Sequence, residues 1–169
     1  MGCLNNAQKR QFDEDGYLVI KNQISGDWLE KIRAEITRFE AEAAMLTSSN
    51  ERLDLEDSHT QENPRLRRIK LPHKISKIML DLMYSDVVLG PARDLIGPNL
   101  RLHTTKLNMK SAGYGAAVEW HQDYSYWIRT TPMAHLTCWI ALEDATIANG
   151  CLQYIAGSSH WELLPITGL

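Results

Sequence analysis

Cysteine is scarce. The 169 residues contain three, Cys3, Cys138 and Cys151, an odd number without metal-type spacing, so reduced thiols in a cytoplasmic protein are the expectation. A basic excess is also missing. With a formal net charge of -3 the chain offers no electrostatic footprint for nucleic acid. Its apolar runs are short and interrupted, so no membrane span is expected, and residues 1–16 lack the basic start and apolar stretch of a secretory signal. Asn6 stands where the N-myristoylation motif needs Ser or Thr. Internal repeats and low-complexity tracts are absent. What remains has the texture of one globular domain: 44% hydrophobic and 23% charged residues, at a length that can bury a core of its own but is too short for two domains.

Along the chain, Phe12-Asp13-Glu14-Asp15-Gly16 reads as a polar turn bent at Gly16, followed by a β-rich run at 17–21. Ser25 offers a hydroxyl cap to a segment in which Trp28, Leu29, Ile32, Ile36, Phe39 and Ala43 recur at three- and four-residue steps. This predicts an amphipathic helix over 26–45. The apolar period is then lost, and residues 46–68 read as a long polar loop. Its last residues run into the basic cluster Arg65, Arg67, Arg68 and Lys70, most simply a solvated face. Two further short helices are expected around 75–82 and 87–96, stopped by Gly97-Pro98. Beyond residue 97 the texture changes to strand-like runs at 100–109, 118–124, 134–142 and 151–155, separated by turns. Helices first and strands later predict an α+β fold, with a helical part at about 1–97 and a β part at about 98–169.

The stretch Trp120-His121-Gln122-Asp123 stands out. In a regular strand alternate side chains share a face, so His121 and Asp123 are expected to point together while Gln122 points away. One nitrogen and one oxygen donor side by side, joined by a further histidine, make the three-cornered site that holds non-heme Fe(II) and leaves positions open for substrate and oxygen. A competing triplet, His160-Trp161-Glu162, follows a turn where a surface position is expected. It lacks the setting of the first, which lies between a glycine-rich loop and the aromatic residues Tyr124, Tyr126 and Trp127.

The order of motifs is more specific than any one of them. Phe12-Asp13-Glu14-Asp15-Gly16-Tyr17, Trp120-His121-Gln122-Asp123, Trp139-Ile140-Ala141-Leu142-Glu143-Asp144, and Asn149-Gly150-Cys151-Leu152 leading to Gly157-Ser158-Ser159-His160 together resemble the phytanoyl-CoA dioxygenase family. The resemblance runs through most of the chain. It implies a double-stranded β-helix, a jelly-roll relative, preceded by helices. It also implies Fe(II) with 2-oxoglutarate as cosubstrate and ascorbate as a reductant, molecular oxygen, and a small organic substrate hydroxylated at an unactivated C–H bond. On it, His121 and Asp123 match the first two iron ligands, and Lys106 and Trp139 fall where members contact 2-oxoglutarate.

The family's third ligand, a distal histidine, and the arginine that anchors the far carboxylate of 2-oxoglutarate have no counterpart in residues 1–169. A jelly roll needs eight strands, and about five are expected here. The resemblance therefore implies the N-terminal portion of a longer domain. His103 and His135 are the nearby stand-ins for the missing ligand. Asp123 argues against halogenation, which needs that carboxylate replaced by a small residue. Tyr114, Tyr124, Tyr126, Trp127 and Arg129 are candidates to line the substrate pocket. The alternative left open is a non-catalytic or truncated binding protein on the same scaffold.

Overall fold

Helix formation begins earlier than the apolar pattern indicates. In the computed structural model, which describes residues 2–111, 113, 118–126 and 134–164, helix α1 covers Asn6–Asp15, including residues expected as a polar turn. It buries none of its side chains and so carries no apolar stripe to read. A reciprocal cap starts it instead: the Asn5 carboxamide oxygen accepts from Gln8 N–H and Gln8 Oε1 accepts from Asn5 N–H, both at 2.9 Å. Two otherwise orphaned donors are satisfied at once. The helix ends at Gly16, whose φ of 78° lies in the left-handed region and whose N–H donates to Phe12 O. Residues 17–21 form no strand, although one is expected there.

Gly16 is also a close approach. A Cβ built there would lie 2.3 Å from Ser159 Oγ and 2.6 Å from Ser159 Cβ. Gly16→Ala therefore adds a clash to the roughly 1–2 kcal/mol cost of a left-handed conformation. It is expected to lower the urea midpoint with an unchanged slope, and an unaltered midpoint would refute this packing.

Helix α2, Gly26–Ala44, matches its expected span closely. Ser25 Oγ accepts from Trp28 N–H, Asp27 sits in the first turn where the helix dipole favours negative charge, and Ile32, Phe39 and Ala43 are buried. The supposed loop after it contains two strands, β1 at Leu53–Leu55 and β2 at Leu66–Lys70, paired antiparallel with Leu53 opposite Ile69. Only every second or third residue is apolar and β1 is three residues long, so composition conceals them. Leu53, Leu55, Leu66 and Ile69 close over Phe39 and Ala43 to make the first core cluster. The connection between the strands is pinned by His59, whose Nδ1 accepts from Arg65 N–H while its Nε2 donates to Leu46 O, both at 2.9 Å. Of the basic cluster, Lys70 pairs with Asp54 at 2.8 Å and Arg68 with the same carboxylate at 3.9 Å, as a solvated face does.

Three helices follow: α3 at Pro72–Ile75, α4 at Lys77–Tyr84 and α5 at Asp86–Ile96. Of the run expected at 100–109, only Lys106–Asn108 pairs, as β3, antiparallel to β2 with Leu107 opposite Ile69. The sheet order is β1-β2-β3. A second cluster, Ile32, Met79 and Leu82, lies between α2 and α4, and Ile140 and Leu142 pack on it from the later half of the chain. The Arg33 guanidinium fastens that later segment by donating to Leu142 O at 2.5 and 3.1 Å.

The architecture is thus α+β. The expected strands at 118–124, 134–142 and 151–155 carry no ladder among the described residues, and short 3-10 turns stand at Asp123–Tyr126, Ile147–Asn149 and Ser158–His160. Alternating composition reports which faces side chains take, and a ladder additionally needs a partner backbone. No helix among the described residues is long and apolar enough to cross a membrane.

Candidate metal centre

His121 and Asp123 come together, though not by strand alternation. Residues 118–122 have no regular structure and Asp123 opens the 3-10 turn Asp123–Tyr126, in which Ser125 N–H donates to Gln122 O at 2.9 Å. Within this bend His121 Nε2 stands 3.1 Å from Asp123 Oδ1.

The far atoms of both side chains are held. His121 Nδ1 lies 2.7 Å from Glu119 O. A carbonyl can only accept, so Nδ1 is the donor of that contact and Nε2 is the nitrogen turned toward Asp123. Asp123 Oδ2 accepts from Thr137 Oγ1 at 2.9 Å, leaving Oδ1 for the imidazole side. At 3.1 Å the two atoms lie within hydrogen-bonding distance of each other. Donors about 2.1 Å from a shared metal ion and at right angles are about 3 Å apart. This pair therefore fits two neighbouring corners of a divalent metal site of mixed nitrogen and oxygen character.

Two tyrosines lie near the pair. The Tyr126 ring meets His121 edge-on at 5.6 Å between centroids. Burial, and then the charge of Asp123, push the Tyr154 phenol above its ordinary pKa, which keeps it a neutral hydrogen-bond donor. Tyr154 stacks on Tyr17 with ring centroids 5.1 Å apart and planes 8° from parallel. The N-terminal segment thereby reaches the site. Its seam includes Gly157 N–H on Asp15 O and His160 Nε2 on Asp13 O, both at 2.8 Å.

These contacts give the other candidate residues their places. His160 spends its ring nitrogen on the end of α1, so the triplet His160-Trp161-Glu162 has a structural task. Gln122 turns to the chain's later segment, donating to Glu162 O at 3.2 Å and accepting from Leu164 N–H at 2.8 Å. His103 and His135 meet edge-to-face at 5.9 Å, with Tyr124 tilted over His135 at 5.5 Å. Among the described residues no group of three His, Cys, Asp or Glu side chains is disposed to hold a metal ion.

Lys106 opens β3 opposite Lys70 with its side chain exposed, and Trp139 is also exposed, two residues beyond Thr137. Among the described residues neither hydrogen-bonds to His121 or Asp123. Tyr114, Trp127 and Arg129 lie outside the described residues. Sequence reasoning missed Thr137, Tyr154 and Tyr17. All three reach the site from distant segments, and nothing in their local sequence marks them.

A mixed imidazole–carboxylate pair at metal-bridging distance, carried on an α+β frame with a helical layer, defines a candidate metal-binding domain. Comparison with known proteins sharpens this. The model of the phytanoyl-CoA dioxygenase (PhyH) family matches residues 12–167, and the chain belongs to that family. It is 30% identical over 151 residues to a probable alpha-ketoglutarate-dependent hypophosphite dioxygenase of Stutzerimonas stutzeri, covering 89% of this chain and 52% of the relative. To the ectoine dioxygenase of Nocardia farcinica it is 29% identical over 170 residues, covering 99% of this chain and 55% of the relative. Among solved structures, EctD from S. alaskensis with bound Fe superposes with a TM-score of 0.65 at 25% identity, over 75% of this chain and 43% of that one. The same protein with 2-oxoglutarate and 5-hydroxyectoine gives 0.60 at 26% identity, with the same coverage. The chain spans about half the length of the curated relatives it matches.

Proposed function

We propose that the protein carrying this chain is an Fe(II)- and 2-oxoglutarate-dependent oxygenase that hydroxylates an unactivated C–H bond of a small organic substrate. The observation that carries the reading is the His121–Asp123 pair, 3.1 Å apart, with each side chain's remote atom already committed to a protein partner. Family membership and the iron and 2-oxoglutarate held by EctD point the same way.

In this reading His121 Nε2 and Asp123 Oδ1 hold two corners of the iron site, and Lys106 and Trp139 lie on the 2-oxoglutarate side. When bound, iron with 2-oxoglutarate supplies the oxidising chemistry that directs molecular oxygen at a C–H bond, with ascorbate as a reductant. The protein orients and excludes water. Glu119 O fixes the imidazole tautomer, and the Asp123 carboxylate offsets part of the metal's charge. Tyr126 covers one side of the imidazole, and Tyr154 supplies a neutral hydroxyl beside the carboxylate.

The finer fold in this reading is a double-stranded β-helix. Its third metal-binding histidine and the arginine for the far carboxylate of 2-oxoglutarate come from polypeptide outside residues 1–169, and residues 98–169 form one portion of the roll. The free thiols of Cys3, Cys138 and Cys151 suit a cytoplasmic location.

The test uses the protein as its gene encodes it, with Fe(II), 2-oxoglutarate, ascorbate and oxygen. Succinate is expected to accumulate above the background of the His121→Ala variant, and extract-derived small molecules to gain one oxygen atom by mass spectrometry. Succinate at the variant's background level would leave a binding protein on the same scaffold as the better account.

A further inference from the structure

The later segment that carries Thr137 is anchored to the helical layer at its far end, and Thr137 is its direct link to the metal pair. We propose that Thr137 is a positioning residue that presents Asp123 to the metal through one oxygen only, so that the packing of α2 and α4 sets the geometry of the centre. The inference rests on the metal site of the proposed function.

A carboxylate turns easily about its last torsion, whose energy wells are broad, and Asp123 sits on a short 3-10 turn with its side chain 41% exposed. Nothing in that turn fixes which oxygen faces His121. The Thr137 hydroxyl does, by donating to Oδ2 at 2.9 Å and leaving Oδ1 at 3.1 Å from the imidazole.

Thr137 is suited to this because its β-branched side chain is stiff about its first torsion. Its backbone is also steadied nearby. Ile140 and Leu142 pack on the cluster of Ile32, Met79 and Leu82, and Arg33 of α2 donates to Leu142 O. A donor three residues before that anchorage therefore holds the carboxylate of Asp123. The cation can then meet an oriented oxygen instead of recruiting one from several rotamers.

Anaerobic titration of the gene-encoded protein with Fe(II), and with Co(II) as a spectroscopic probe, tests the assignment in wild type, Thr137→Val and Thr137→Ser. Valine keeps the branched shape and removes the donor; serine keeps the donor. Thr137→Val is expected to bind both metals about 10- to 100-fold more weakly, the range found when a partner behind a metal ligand is lost. Its Co(II) visible spectrum is expected to change as the carboxylate turns, while thermal unfolding of the apo-protein stays close to wild type. Thr137→Ser is expected to restore affinity to within about threefold of wild type.

Unchanged affinity and spectrum in Thr137→Val would overturn the proposal. So would a serine variant as weak as the valine one, because packing of the methyl group would then be the cause. Failure of the wild type to bind either metal would overturn the metal site itself, and this assignment with it.

Discussion

His121→Ala is expected to weaken Fe(II) binding by more than 100-fold, beyond the range for losing a partner that only supports a ligand. Nε2 is the one nitrogen aimed at Asp123 Oδ1, and it is aimed there because Nδ1 is occupied by Glu119 O. Alanine removes the donor outright and leaves Asp123 as a lone carboxylate anchored by Thr137. Asp123→Asn, which keeps shape but loses charge, is expected to act in the same direction.

The discriminating controls are Gln122→Ala and His160→Ala. Gln122 lies between His121 and Asp123 in sequence, but its amide serves Glu162 and Leu164, while His160 serves Asp13. Both controls are expected to lower stability by about 1 kcal/mol, the usual worth of such hydrogen bonds, with little change in metal affinity. Isothermal titration under anaerobic conditions reads all four. Equal losses at Gln122 and His121 would mean that the site depends on the whole turn and not on the donor pair.

The largest effect on stability is expected at Phe39. Its side chain is 0% exposed and is enclosed by Ala43 of its own helix and by Leu53, Leu55, Leu66 and Ile69 of the sheet, with the Arg38 guanidinium 4.2 Å from the ring centroid. Phe39→Ala removes both the transfer energy of the ring and the contacts of the cavity left behind, a loss of about 3–5 kcal/mol. That is a large share of the roughly 5–15 kcal/mol that typically holds a domain together. Met45, 76% exposed just past the end of the same helix, provides the contrast, because its replacement by alanine is expected to change stability by less than about 0.5 kcal/mol. Urea unfolding followed by circular dichroism measures both. A Phe39→Ala loss below about 1 kcal/mol would show that β1 and β2 do not close over α2.

Legibility followed the presence of a repeating apolar pattern. Helix α2 was readable because Ile32, Phe39 and Ala43 recur on one face and become its buried side. Helix α1 was not, since it buries nothing, and its marks are the Asn5–Gln8 cap and the Gly16 that ends it. Strands β1 and β2 lie within charged sequence, and only the pairing of Leu53 with Ile69 identifies them. Further on, alternation at 118–124 and 134–142 suggested strands where the described residues form no ladder. The juxtaposition of His121 and Asp123 was anticipated for the wrong reason, because a 3-10 turn and not a pleat brings them together.

From the sequence alone came the α+β class, the ordered motifs of the family and the identity of the imidazole–carboxylate pair, because periodicity and chemical type are local properties of a chain. Only the tertiary structure decided which atoms of that pair face each other, that Thr137 and Glu119 hold them there, and that Tyr17 backs Tyr154 beside them. The Thr137 and Tyr17 contacts join separate segments, and the Glu119 contact depends on the local bend of the backbone, so no apolar or chemical pattern in the sequence encodes them.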